Sequence, residues 1–193
     1  MRSLRLILSG LVLTGTVFVL TALLVPQAQN PAAAAVTVFC SVWFVVALLN
    51  ATSGINKGHP PRLEAGLAVL VFAAPTAAAL ALWSEGGLEI DSARTPWILT
   101  TGVALWAVIL QLVAVRNSQG TVPNTQNMTV TVFLPLWLLL MLVNMLVGLR
   151  LGYTLTEELS VLSLNFGVPA AVAAIARACT RPRTAGRNTA RFE

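Results

Sequence analysis

The sequence predicts an all-α integral membrane protein with six transmembrane helices, built as two inverted-topology three-helix repeats. The first observation behind this prediction is composition: the chain is 56% hydrophobic and only 10% charged. A soluble domain carries about 25% charged residues. A chain this apolar cannot hide its side chains in a water-soluble core, so we expect it to lie in lipid.

The second observation is a stretch that occurs twice. Residues 36–58 read VTVFCSVWFVVALLNATSGINKG and residues 130–152 read VTVFLPLWLLLMLVNMLVGLRLG, with nine of 23 pairs identical at an offset of 94. Extended to residue 79, the same offset gives 15 identities in 44 pairs, where about one in ten is expected by chance. The identical pairs include Trp43 with Trp137, Asn50 with Asn144, Gly54 with Gly148, Gly58 with Gly152, Glu64 with Glu158 and Pro75 with Pro169. This pattern predicts an internal duplication.

The third observation is the spacing of apolar runs, since about 20 residues cross a bilayer core. Residues 1–93 hold the first repeat, with spans at about 6–25, 31–50 and 64–83, and residues 94–176 hold the second, with spans at about 96–115, 128–149 and 158–176. A cleaved signal peptide is the competing interpretation of the first run. The first spans of the two repeats match poorly, because Gly10 aligns with Gly102 only at a different offset. Residues 177–193 are expected to be a disordered basic tail.

Positive charge predicts the orientation. With the N-terminus in the cytoplasm, ten of the 12 Lys and Arg residues lie inside and only Arg94 and Arg150 lie outside. We therefore expect a multi-pass protein with both termini cytoplasmic. The Ala- and Arg-rich composition and the short loops favour a bacterial inner (plasma) membrane. Because each repeat holds three spans, the second copy enters the membrane from the opposite side, as in many transporters. A symmetric scaffold without a pathway is the structural alternative.

Two asparagines and two glutamates are the candidate pathway or gate residues: Asn50, Glu64, Asn144 and Glu158. A carboxylate in or near lipid is a functional candidate by default. Each glutamate also opens a predicted helix, where the helix dipole stabilises a negative charge. The asparagines could instead hydrogen-bond between helices.

Prolines and glycines complete the candidate set. Pro75 and Pro169 lie near mid-membrane and are candidate helix breaks that free a backbone carbonyl, with a static kink as the alternative. Four glycines follow the asparagines at intervals of four residues and are candidate close-packing positions. They are Gly54, Gly58, Gly148 and Gly152.

Catalytic and metal-binding signatures are missing from the sequence, so we expect neither an enzyme nor a cofactor or metal site. His59 is the only histidine, and no metal-ligand spacing exists. Cys40 lies in an apolar run and Cys179 in the basic tail, so we expect no disulfide. The net charge of +5 fits anionic lipid better than nucleic acid, because the arginines lie outside the spans.

The function these features predict is a small transporter or channel for an ion or small polar solute. Its pathway would run between helices 2, 3, 5 and 6, and a homo-oligomer would widen a pathway too narrow for one copy. The partners are then the lipid bilayer and the solute or ion, without nucleic acid. The alternative is a non-transporting membrane subunit or scaffold that binds a partner protein or lipid.

Overall fold

The structure is a computed structural model that describes residues 2–25, 28–87, 94–117 and 125–179. These residues form six α-helices without a strand: α1 (Arg2–Leu24), α2 (Pro31–Ile55), α3 (Pro61–Ser84), α4 (Arg94–Asn117), α5 (Thr125–Arg150) and α6 (Leu155–Cys179). All six are long and apolar enough to cross a membrane. For the described residues, the prediction of an all-α fold with six helices long and apolar enough to span a membrane is therefore confirmed. Because α6 continues to Cys179, the predicted tail begins later than residue 177, and residues 180–193 lie outside the described residues.

Local signals in the sequence explain where α2 and α6 begin. Asn30 caps α2 by accepting a hydrogen bond from the Ala33 N–H at 2.8 Å, and Pro31 occupies the first helical turn. At the start of α6, the Thr154 N–H donates to the Glu157 carboxylate at 2.9 Å, and the Glu157 N–H donates to the Thr154 hydroxyl at 3.4 Å. This reciprocal pair is a capping box. Helix α6 therefore begins at Leu155, three residues before the start at residue 158 that the sequence predicts.

The α2–α3 and α5–α6 connections end their first helices in the same way. Gly58 has φ +85° and Gly152 has φ +95°. The His59 N–H donates to the Gly54 carbonyl and the Tyr153 N–H to the Gly148 carbonyl, both at 3.2 Å. These bonds and the left-handed glycines define a Schellman motif.

Gly58 and Gly152 are therefore turn residues. A Cβ atom at either position would have open space around it. The prediction that these two glycines allow close packing between helices was wrong. The four-residue spacing places residues on one face only within a helix. Gly58 and Gly152 lie beyond the ends of α2 and α5, so the spacing does not apply to them.

The helices are arranged around α1 and α4, which pack against each other. The α2–α3 hairpin packs on α1, and the α5–α6 hairpin packs on α4. The start of α4 meets the end of α1, because the Arg94 guanidinium donates to the Leu23 carbonyl at 2.9 Å. Within the described residues, the two hairpins do not form an extensive interface with each other. The two central helices therefore hold them together.

Two glycines let the central helices approach the hairpins closely. A Cβ atom at Gly10 would lie 2.5 Å from Pro75 Cγ and 2.6 Å from Trp43 Cζ2. At Gly102 the corresponding distances are 2.6 Å to Pro169 Cγ and 2.6 Å to Trp137 Cζ2. Gly102 lies 92 residues after Gly10, whereas the tryptophans and prolines are offset by 94. The two glycines thus make matching contacts although they do not align in the ungapped sequence match.

Replacing Gly10 with alanine should destabilise the protein, because the new methyl group would meet the Trp43 ring and Pro75. Overpacking a tight contact costs about 1–3 kcal/mol, which a thermal melt in detergent would detect. Gly15→Ala in the same helix is the matched control, since a Cβ atom there has nothing within 4 Å. Equal melting temperatures for Gly10→Ala and Gly15→Ala would contradict the contact.

Candidate functional site

A tryptophan and a proline form the core of the first hairpin. Proline removes the N–H that would bond to the carbonyl four residues earlier, which for Pro75 is the Val71 carbonyl. The Trp43 indole N–H donates to that carbonyl at 2.9 Å. Trp43 itself is fully buried and stacks on Phe39 with ring centroids 6.1 Å apart. A side chain of α2 thus satisfies the backbone group that the proline of α3 frees.

The second hairpin repeats this arrangement. The Trp137 indole N–H donates to the Asn165 carbonyl at 3.0 Å, four residues before Pro169. Trp137 stacks on Phe133, again with centroids 6.1 Å apart. The hairpins differ in the residue that supplies the carbonyl, because Asn165 is the counterpart of Val71 at the offset of 94. The Asn165 side chain is fully buried, and neither of its amide atoms has a hydrogen-bond partner among the described residues.

Pro75 and Pro169 do not break their helices. Helices α3 and α6 continue through them, and both prolines are buried. The predicted breaks were wrong because the indole N–H groups replace the missing backbone hydrogen bonds. Each freed carbonyl consequently accepts a hydrogen bond from an indole N–H group.

The indole hydrogen bond should contribute to the stability of the protein only while the proline is present. Trp137→Phe keeps an aromatic ring but leaves the Asn165 carbonyl unpaired, which costs about 1–3 kcal/mol for a buried group. In a Pro169→Ala background, the restored N–H of residue 169 takes that carbonyl, so Trp137→Phe should lower the melting temperature much less. A double-mutant cycle measures this coupling. Exposed Trp83→Phe is the control, and purely additive effects would contradict the assignment.

Glu64 is a buried carboxylate at the start of α3. Its side chain is 3% exposed and its Oε1 atom lies 2.6 Å from His59 Nδ1. The carboxylate also contacts Gly54 of α2, in the space that a Cβ atom would fill. The His59 side chain is 50% exposed, so the pair connects a buried acid to the surface of the bundle. Any substitution of Gly54 would displace the carboxylate.

Glu158 occupies the same position in the second half. It is buried in the first turn of α6, and its carboxylate contacts Gly148 of α5 in the space of the missing Cβ atom. Tyr153, the counterpart of His59, is 55% exposed. The ion pair of the first half is therefore not repeated among the described residues of the second.

The two candidate asparagines differ in burial. Asn144 is buried in α5, and its Oδ1 atom accepts a hydrogen bond from the Arg94 guanidinium at 3.3 Å. The same guanidinium bonds to the Leu23 carbonyl, so Arg94 links α1, α4 and α5. Asn50 lies partly buried in the corresponding part of α2. Asn144 thus belongs to a polar cluster at the junction of the central helices and the second hairpin.

The described structure divides the predicted site residues between two hairpins. Gly54 and Glu64 meet in the first, and Gly148 and Glu158 meet in the second. Within residues 2–25, 28–87, 94–117 and 125–179, no group of His, Cys, Asp and Glu side chains could hold a metal ion. Cys40 and Cys179 are both free cysteines.

Two important residues were missed from the sequence. His59 was judged only as a metal ligand, although it precedes Glu64 by five residues across a Pro-Pro turn, which brings the two together. Arg94 was counted only as a charge outside the spans. The sequence gives little indication of the role of Arg94, because its partners Leu23 and Asn144 lie 71 and 50 residues away in the chain.

Comparison of the chain with protein-family models, curated proteins and solved structures finds no match.

Proposed function

We propose that the chain is a small inverted-repeat membrane transporter or channel for an ion or a small polar solute. One observation carries the proposal: each hairpin holds a buried carboxylate, Glu64 or Glu158, at the same position against a glycine. A helix start needs only an exposed capping group, which Glu157 supplies to α6. Burying a carboxylate near lipid is costly, and such groups typically belong to ion or substrate pathways.

The matching contacts of the two halves support the inverted arrangement. Three membrane crossings separate each residue of the first half from its counterpart in the second, so the two carboxylates would lie near opposite membrane surfaces. Alternating access requires such equivalent machinery on both sides. The charge distribution supports cytoplasmic termini. The Ala- and Arg-rich composition and the short loops favour a bacterial inner membrane. In this proposal the protein is not an enzyme, and a homo-oligomer is compatible with it.

The pathway in this proposal runs beside α1 and α4. The sequence-based hypothesis placed it between helices 2, 3, 5 and 6, but the two hairpins that contain them pack on opposite members of the central pair. A route from one carboxylate to the other would therefore follow the central helices. Buried hydroxyl groups lie along these helices at Ser9, Thr14, Thr16 and Thr101.

A scaffold is the second candidate, and the packing of the central pair favours it. Most buried side chains of α1 and α4 are large and apolar, among them Leu6, Leu13, Phe18, Ile98 and Leu105. A dry interface of this kind suits a membrane subunit that holds a partner protein or lipid. This candidate predicts that the purified protein transports nothing alone.

A thermal-stability screen against ions and small metabolites would identify a ligand of the protein, which then serves as the solute in a flux assay. A ligand at 100 times its Kd should stabilise the native state by about 2.7 kcal/mol. Glu64→Gln and Glu158→Gln should each reduce flux of that solute into proteoliposomes by about 10-fold or more, because each removes a charge worth at least 1.4 kcal/mol to the bound cation or coupled proton.

Glu85→Gln is the control for that assay, since Glu85 is exposed and lies at the end of α3 opposite to Glu64. All variants should insert into the membrane normally. Wild-type flux in both carboxylate variants would overturn the site. The absence of any stabilising solute and of any flux would favour the scaffold.

A further inference from the structure

The two hairpins differ in what reaches their carboxylates. In the first, the His59 imidazole is half exposed and touches a Glu64 side chain that is 3% exposed. In the second, a tyrosine replaces the histidine and Glu158 has no ion pair among the described residues. An imidazole is the side chain that ordinarily changes charge between about pH 5 and 8. Within the part of the chain that the structure describes, Glu64 alone of the two carboxylates therefore contacts a group suited to exchange protons with water.

We propose that His59 and Glu64 form a proton entry site, in which the imidazole carries protons between water and the buried carboxylate. The site rests on the proposed transport function and names its coupling ion as the proton. Nδ1 lies 2.6 Å from Oε1, a distance that suits direct proton transfer. The exposed part of the ring is the route to water, because the carboxylate itself has almost no exposed surface.

The transfer balances without another reactant. A proton from water binds Nε2 of the neutral imidazole and forms an imidazolium. The Nδ1–H bond then breaks while an O–H bond forms at Oε1, so the carboxylate becomes a neutral carboxyl group. The imidazole is then neutral with its proton on Nε2. Loss of that proton to water and uptake of one at Nδ1 restore the starting tautomer. The buried acid thereby loses its charge without a separate ion entering the bundle.

Among the described side chains, no neighbouring group competes with His59 for the carboxylate. The charged or titratable side chains described on the elements packed against the start of α3 are Arg5 of α1, Cys40 of α2, Lys57 of the connection and Arg62 of α3 itself. Among the described side chains, His59 alone forms an ion pair or hydrogen bond with Glu64. Gly54 leaves the space that the carboxylate occupies beneath the imidazole.

Time-resolved infrared spectroscopy after rapid acidification tests the site in full-length protein held in lipid nanodiscs. The Glu64 signal is the part of the protonated-carboxyl absorption that is missing in Glu64→Gln, and the Glu158 signal is defined in the same way from Glu158→Gln. We expect His59→Ala to slow the rise of the Glu64 signal by about 100-fold, the lower range for loss of a positioned proton donor. Imidazole added to the buffer should restore the rate.

Matched variants separate the proton route from folding. His59→Asn keeps an N–H group near the position of Nδ1 but cannot carry a proton, so it should slow protonation as His59→Ala does. Tyr153→Ala should leave the rate of the Glu158 signal unchanged. Equal rates of Glu64 protonation in wild type and His59→Asn, or slow protonation that imidazole does not restore, would overturn the site. Because this measurement needs no solute, its result is separate from the success or failure of the flux assay.

Discussion

The structure depends on the hydrogen bond from a tryptophan indole to the carbonyl that a proline frees in the neighbouring helix. An unsatisfied carbonyl in hydrocarbon costs several kcal/mol, because lipid offers no donor. Trp43 satisfies the Val71 carbonyl and Trp137 satisfies the Asn165 carbonyl. Each bond fixes the depth at which the two helices of a hairpin meet. A proline that would otherwise weaken its helix instead joins it to its partner.

That contact also explains the glycines of the central helices. The same indole and proline rings fill the space where a Cβ atom would lie at Gly10 or Gly102. At the level of the indole and proline rings, the central helices can therefore approach the hairpins this closely only with glycine at these two positions. Tryptophan, proline and glycine thus act together in each half, and the carboxylate of each hairpin is held at a constant distance along the helix from this junction.

Two of the differences between the halves lie beside the matching contacts. His59 corresponds to Tyr153, and Val71 corresponds to Asn165. The first difference gives one carboxylate an imidazole partner, and the second places an amide in the core of one hairpin only. A symmetric scaffold does not require either difference. A transporter that moves a solute in one direction benefits from two ends with unequal chemistry.

The sequence predicts the six helices and identifies Glu64 and Glu158 as candidates, because hydropathy and an ungapped duplication are local or periodic signals. It does not predict that the two carboxylates are buried. Trp43 and Trp137 were seen as a repeated pair, but their contact with the freed carbonyls spans 28 residues and depends on how the helices rotate. The ungapped match did not pair Gly10 with Gly102, because these two glycines are 92 residues apart and the matched residues are 94 apart. Gly58 and Gly152 could have been identified as turn residues, since each closely follows a helix end and precedes a polar or proline-containing segment.

The central claim is that the two halves are equivalent and face opposite sides of the membrane. Its most direct test is labelling with a membrane-impermeant thiol reagent in a variant whose Cys40 and Cys179 are replaced by serine. His59→Cys and Tyr153→Cys place one thiol in each of the two matching connections, and both positions are exposed. In sealed vesicles of known orientation, the account predicts that one thiol reacts only from outside and the other only from inside. Reaction of both thiols from the same side would contradict it.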